Sequence, residues 1–192
     1  SFDEDSVLNN TDIIDFSEEI KLSQSNYDFI REYGKTRKLD YCAELIKREV
    51  HKGKQIIAWG MFVKNLYLMK EKLIRLGVNA AVISGETPLN ERDKIIEDFE
   101  NGQWDVLISN PHTLAESISL HKTAHHAFYF EFGFNLTHML QSRDRIHRLG
   151  ITDEEKPRYT YMFLNSKDGL YDSIDLRVYD RLKKKENIMK EA

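Results

Sequence analysis

The sequence predicts an α/β protein built on a doubly wound parallel sheet in three layers, α/β/α. Three observations carry that expectation. Apolar runs of strand length recur at 55–59, 78–83, 104–109, 127–131 and 159–164. Helix-length amphipathic stretches separate most of them. Only short turns join the two kinds of segment, and strands alternating with helices in this way build a parallel sheet covered on both faces.

Residues 1–20 hold seven Asp or Glu and no Lys or Arg, so they read as a linker or an added segment. A short helix is expected near 23–32, capped by Ser23 or Ser25. We therefore set an acidic extension at 1–34 and the domain proper at 35–192. Residues 35–52 predict a helix, with Leu39, Ala43, Ile46 and Val50 at three- and four-residue steps. Gly53 ends it. Residues 55–59 are a strand, nearly continuously apolar, as a strand buried on both faces should be. A helix over 63–76 stops at Gly77, and a strand follows at 78–83. In the turn 84–88, Thr87 is expected to cap the next helix and Pro88 to take its first position. That helix runs to about 100, where Asn101-Gly102 ends it. After the strand at 104–109, residues 110–120 read as a loop with one helical turn. A strand at 127–131, a helix at 137–147, a strand at 159–164 and a helix at 170–186 complete the chain. Ligands of such sheets bind beyond the carboxyl ends of the strands. The candidate loops are thus 60–65, 84–88, 109–118, 131–136 and 165–169.

Composition bounds the possibilities. A length of 192 residues suits one domain. With 41% hydrophobic and 31% charged residues the chain is neither disordered nor membrane-spanning in character. The single cysteine, Cys42, excludes an intrachain disulfide and a cysteine-built zinc site. It fits a reducing compartment and reads as a small buried apolar side chain. The net charge of −4 argues against a passive nucleic-acid coat. Basic residues gather at 31–54 and again at Arg177, Arg181, Lys183, Lys184 and Lys185, where they form one basic face or ordinary solvated helix faces. The chain begins Ser1-Phe2-Asp3, as a fragment or processed piece would.

Several chemistries fail on their residues. Gly34-Lys35-Thr36 imitates the end of a phosphate loop, but the loop's first glycine falls on Phe29 and no apolar strand precedes it. No Asp-Glu pair closes an apolar strand to hold magnesium. His121, His125 and His126 lack a carboxylate or thiol at ligand spacing, and adjacent strand residues point to opposite faces. Ser109, Ser117 and Ser119 sit in no nucleophile elbow. Tyr159, Tyr161 and Phe163 alternate along a strand and read as core packing or as a base-stacking face. No Gly-x-Gly-x-x-Gly follows a strand, which removes a dinucleotide-binding reading.

The remaining feature is Gln141-Ser142-Arg143-Asp144-Arg145-Ile146-His147-Arg148-Leu149-Gly150. On a helix Gln141, Arg145 and Arg148 share one face. Arginine presents a rigid fork of donors to phosphate oxygens. Spacing alone leaves two readings open, a polyphosphate grip and a solvated basic face, and Asp144 can pair with a neighbouring arginine.

The order of blocks resembles the second RecA-like domain of superfamily-two helicases, of the Swi/Snf type. Lys54-Gln55-Ile56-Ile57-Ala58-Trp59-Gly60-Met61-Phe62 resembles that lobe's first strand and aromatic turn. Ile83-Ser84-Gly85-Glu86-Thr87-Pro88-Leu89-Asn90-Glu91-Arg92, followed by Ile96-Glu97-Asp98-Phe99, resembles the next block. Asp105-Val106-Leu107-Ile108-Ser109 resembles the strand entering motif V, and the segment 129–135 resembles the approach to motif VI. Gln141, Asp144, Arg145, His147, Arg148 and Gly150 stand at motif VI spacing. The resemblance covers roughly 35–186. One block departs from the pattern, with two single-residue differences beside it. Motif V is normally glycine-rich, but here reads Thr113-Leu114-Ala115-Glu116-Ser117-Ile118-Ser119-Leu120. Phe134-Asn135 replaces the usual Trp-Asn, and Ile151 replaces a common Gln. These departures suit a divergent prokaryotic branch and a cytoplasmic protein.

The resemblance implies a two-lobed, ATP-driven motor. The other lobe would hold ATP and Mg2+. This lobe would insert Arg145 and Arg148 at the β/γ-phosphates, with Gln141 and Ser117 also contacting the nucleotide. Ser84, Gly85, Thr87, Arg92, Ser109 and Asn110 would meet the nucleic-acid backbone. Swi/Snf-type relatives generally track duplex DNA without unwinding it. The chain alone would then be catalytically silent. A non-catalytic interaction module is the alternative, and a Gly-Lys-Thr loop with an Asp-Glu-x-His box upstream would favour the motor.

Overall fold

Five short strands share one sheet because their side chains are apolar enough to be covered on both faces. The computed structural model describes residues 37–114, 120, 123–133, 135–146, 156–164 and 174–191. The chain divides into two units, Ser1–Thr36 and Arg37–Ala192. The first, with the helix expected near 23–32, lies outside the described residues. The elements are α1 (Arg37–Val50), β1 (Gln55–Trp59), α2 (Val63–Arg75), β2 (Ala80–Ile83), α3 (Leu89–Glu100), β3 (Val106–Ser109), β4 (Ala124–Tyr129), α4 (Leu136–Asp144), β5 (Arg158–Tyr161) and α5 (Ile174–Glu191). All strands run parallel, in the order β2-β3-β1-β4-β5.

Central β1 is wholly buried from Ile56 to Trp59. Side-chain alternation sends Ile57 and Trp59 to one face, where Phe99 of α3, Met139 of α4 and Leu182 of α5 meet them. The other face is covered by α1, packed on β1, and α2, packed on β2 and β3. Leu39, Cys42, Ala43 and Ile46 bury one stripe of α1 at three- and four-residue spacing. Cys42 is a core residue, and burial pushes its thiol up to about 12. α1 and α2 each end ahead of a left-handed glycine, Gly53 at φ 76° and Gly77 at φ 77°.

Some boundaries differ from the sequence expectation, each for a local reason. Pro88, not Thr87, occupies the cap position of α3, and no side chain caps that helix. The Thr87 hydroxyl instead folds back to accept from the Ser84 N–H at 3.0 Å. β4 begins at Ala124, three residues earlier than expected, because pairing with β1 outweighs the polarity of His125 and His126. The register shifts between Gln55 and Ile56, opposite Ala124 and His126, so His125 is the extra residue. α4 stops at Asp144 rather than near 147, and α5 (Ile174–Glu191) runs past the expected end at 186. β5 ends at Tyr161. The aromatic series still packs: Tyr161 stacks on Tyr129 at 4.7 Å, and Phe163 lies edge-on to Phe132 at 5.7 Å.

His126 is 6% exposed and faces α1. Its Nε2 shares a hydrogen bond with Thr160 Oγ1 at 2.9 Å, and Nδ1 lies 3.6 Å from Glu49. Burial pushes the ring down from 6.5 to about 4, against the pull of Glu49. The folded state therefore resists protonation of this ring more than the unfolded chain does. Its contribution to stability is complete above the unfolded value of 6.5 and is lost as pH falls from there towards 4. At ~1.36 kcal/mol per unit, lowering pH from 7.5 to 5 should cost about 2 kcal/mol through this group. Urea midpoints across that range should fall for the natural chain and fall less for His126→Gln; equal slopes would contradict the assignment.

Candidate functional site

The chain leaves β1 for α2 on one face of the sheet and leaves β4 for α4 on the other. Neighbouring loops therefore part at the carboxyl ends of these two strands, where open parallel sheets form their binding crevices. A cavity of about 220 Å³ opens there, lined by Met61, Asn110, His112, Phe132, Asn135 and His138 among others. Gly60 directly follows β1, where a Cβ would collide with the Phe130 ring and with Leu66.

Glu131 holds the two loops together. Its carboxylate accepts the N–H groups of Met61 and Phe62 at 3.0 and 3.2 Å, and a third hydrogen bond from Asn65. Phe62 caps α2 without a side-chain bond of its own, so Glu131 supplies the acceptor that the helix start needs. Burial raises the Glu131 carboxyl above its ordinary value, while the bonds from Phe62, Met61 and Asn65 oppose the rise. With their amides held this way, the Met61 and Phe62 side chains stand exposed. The sequence signal for this clasp is an acid placed directly after the apolar run 127–130, at the start of the candidate loop 131–136.

The turn at 84–88 is internally bonded. Arg92 donates through Nε to the Thr87 carbonyl at 2.7 Å and through Nη2 to the Gly85 carbonyl at 2.8 Å. Its fork thus braces the turn. Ser84 is buried while Gly85 is exposed. Ser109 is also buried, and its hydroxyl donates to the Ile83 carbonyl at 2.7 Å. Asn110 is half-buried, and its Oδ1 accepts from the Thr113 N–H at 3.2 Å. The outward-facing members of the expected nucleic-acid set are thus Gly85 and partly Thr87, Arg92 and Asn110. Ser84 and Ser109 shape the turns beneath them.

The basic helix begins at the same edge and ends elsewhere. Asn135 caps α4 by accepting from the His138 N–H at 3.2 Å. Ser142 ties the helix to β4 through the Tyr129 hydroxyl at 2.7 Å. Nine residues carry α4 ~13 Å back across the sheet. Its last turn meets the segment entering β4: the Leu120 N–H donates to the Arg145 carbonyl at 2.8 Å, and the Ala124 N–H donates to the Leu120 carbonyl at 2.9 Å. Arg145 closes the helix in helical conformation, so Gln141 and Arg145 keep their common side, and both are half-buried. Gln141 and Arg145 therefore lie towards the end of α4 away from the carboxyl edge that carries Asn110. Arg148, His147, Gly150 and Ser117 lie outside the described residues. Arg143 pairs with Glu186 rather than with Asp144. Among the described residues, no three His, Cys, Asp or Glu side chains converge as a metal site would require.

Residues 37–150 match the helicase conserved C-terminal domain family. The chain is 30% identical over 140 residues to Switch 2 of Arabidopsis thaliana, covering 71% of this chain and 16% of that protein. It is 27% identical over 161 residues to the chromatin-remodeling ATPase INO80 of Saccharomyces cerevisiae, covering 83% of this chain and 10% of that one. The chain thus spans a small part of the length of either relative. A crystal structure of the C-terminal part of the Fun30 ATPase domain superposes with a TM-score of 0.65 at 25% identity, covering 79% of this chain and 46% of that one. The fold alone is shared with S. cerevisiae Dbp5 bound to RNA and ADP BeF3, at a TM-score of 0.60 and 20% identity, over 77% of this chain and 35% of that one. The sheet is therefore RecA-like, as the motif order implied.

The Glu131 clasp carries a direct test. Replacing it by alanine removes the protein acceptor of the Met61 and Phe62 amides at the start of α2, at a cost of about 1 kcal/mol. Glu131→Ala should lower the unfolding midpoint and speed hydrogen exchange at the Met61 and Phe62 amides; protection equal to that of the natural chain would contradict the clasp.

Proposed function

We propose a function from the premise that the chain belongs to the helicase conserved C-terminal domain family, in its Swi/Snf-like branch: it is the second motor lobe of an ATP-dependent translocase that tracks double-stranded DNA. ATP and Mg2+ are held mainly by a first RecA-like lobe of the same protein. This lobe closes on the nucleotide and presents Arg145 and Arg148 to the β- and γ-phosphates, with Gln141 and Ser117 beside them. A guanidinium placed there offsets charge that develops on the transferring phosphoryl group. Gly85, Thr87, Arg92 and Asn110 face the nucleic-acid backbone, on turns shaped by Ser84 and Ser109. Such contacts read charge and shape, so sequence preference is weak. The acidic stretch 1–34 acts as an extension outside the motor fold, and the protein works in a prokaryotic cytoplasm.

One observation supports this reading above the others. The segment that starts at Asn110, on the carboxyl edge, ends at Leu120, whose N–H is bonded to the carbonyl of Arg145. The end of that segment is thus bonded to the main chain of the arginine helix. A motor needs its nucleotide-facing and track-facing parts joined, because nucleotide turnover has to depend on the track. The half-burial of Gln141 and Arg145 is also unlike a freely solvated basic face.

In the full-length protein, Arg148→Ala should lower DNA-stimulated ATP turnover by ~10³-fold or more, the scale of arginine fingers in other nucleotide hydrolases. Far-UV circular dichroism should be unchanged. Turnover equal to that of the natural protein would overturn the finger assignment.

A further inference from the structure

The end of the arginine helix is held by a side-chain cluster that lies partly beyond the residues matched to the helicase family, which stop at 150. Arg143 Nη1 donates to Glu186 Oε1 at 3.3 Å. The guanidinium carbon of Arg143 also lies 5.4 Å from the centre of the Tyr159 ring. Tyr159 in turn donates its hydroxyl to the Arg143 carbonyl at 3.1 Å. Arg143 is thus gripped by side chain and by main chain, two residues before Arg145.

Glu186 is out of place as a surface acid. It sits on a lysine-rich helix, yet is only 6% exposed. Lys190 donates to it at 3.0 Å, and Lys183 approaches its other oxygen at 3.7 Å. A carboxylate that buried is costly unless partners compensate it; replacing a whole buried pair with apolar residues of similar size is often neutral for stability, whereas removing one partner alone is destabilising. Burial tends to raise its carboxyl, but Lys190, Arg143 and Lys183 together hold it below the usual range. It is therefore charged at neutral pH and fixes Arg143 by a charge-assisted bond.

We infer that Glu186 is a positioning residue for the phosphate-facing Arg145: from α5 it clamps Arg143, with Tyr159 as the second jaw, and so fixes the last turn of α4, which Arg145 closes. The inference rests on the motor reading and adds to it a part that motif VI itself does not contain. Orientation of a transition-state group matters more than its affinity for the ground state. Loosening the clamp therefore lowers kcat and leaves KM for ATP nearly unchanged.

The test is steady-state DNA-stimulated ATPase of the full-length protein carrying Glu186→Met, Arg143→Met or both, with Arg145→Ala as reference. Glu186→Met keeps the buried volume, and unfolding midpoints are measured in parallel. The expected result is a kcat lowered about 10- to 100-fold in each single variant, KM within about twofold, and a double variant no worse than either single one. Normal kcat in Glu186→Met beside a silent Arg145→Ala would overturn the clamp and leave the motor reading standing. Multiplying losses in the double variant, or a rise in KM at constant kcat, would overturn it as well. A natural full-length protein without stimulated ATPase would overturn both.

Discussion

Burial of β1 on both faces is the constraint on which the rest of the molecule depends. A strand whose side chains are apolar in both directions needs helices above and below, and parallel neighbours on both edges. Here α1 and α2 cover one face and α3, α4 and α5 the other. The chain must then leave β1 and β4 in opposite directions. The crevice at their carboxyl ends is a geometric result of that parting. Glu131 turns it into a defined site by tying the end of β4 to the start of α2.

The same arrangement separates two tasks along α4. Its capped start shares the carboxyl edge with the turns at 84–88 and 109–113. Its last turn reaches back towards the entry of β4, where Leu120 and Tyr159 bond to the main chain of Arg145 and Arg143. In the proposed motor, the first region meets the track and the second meets the nucleotide. Each is anchored by hydrogen bonds to a packed element of the fold. Packed elements of this kind transmit discrete displacements because their interiors are dense.

Most of the sheet was legible in the sequence because β1, β2 and β3 are short unbroken apolar runs and glycines mark the ends of α1 and α2. β4 was read late because His125 and His126 look like loop residues. Pairing with β1 fixed their place, and a bulge absorbed the extra residue. Arg92 and Ser109 carry the right chemistry for phosphate contact, and no local pattern reveals that they also brace the turns themselves. Glu131 and Glu186 were missed for a related reason. Each acts across 43 to 70 residues of chain on a partner that only the fold brings near. The family was legible because motif VI fixes six residue identities within ten positions, whereas the tertiary supports of that motif are spread over α4, β5 and α5.

ATP turnover by the isolated lobe, compared with that of the full-length protein in the presence and absence of duplex DNA, tests the central claim most directly. The expected result is no hydrolysis by residues 1–192 alone and DNA-stimulated hydrolysis by the full-length protein. Hydrolysis by the lobe itself, or a full-length protein indifferent to DNA, would contradict it.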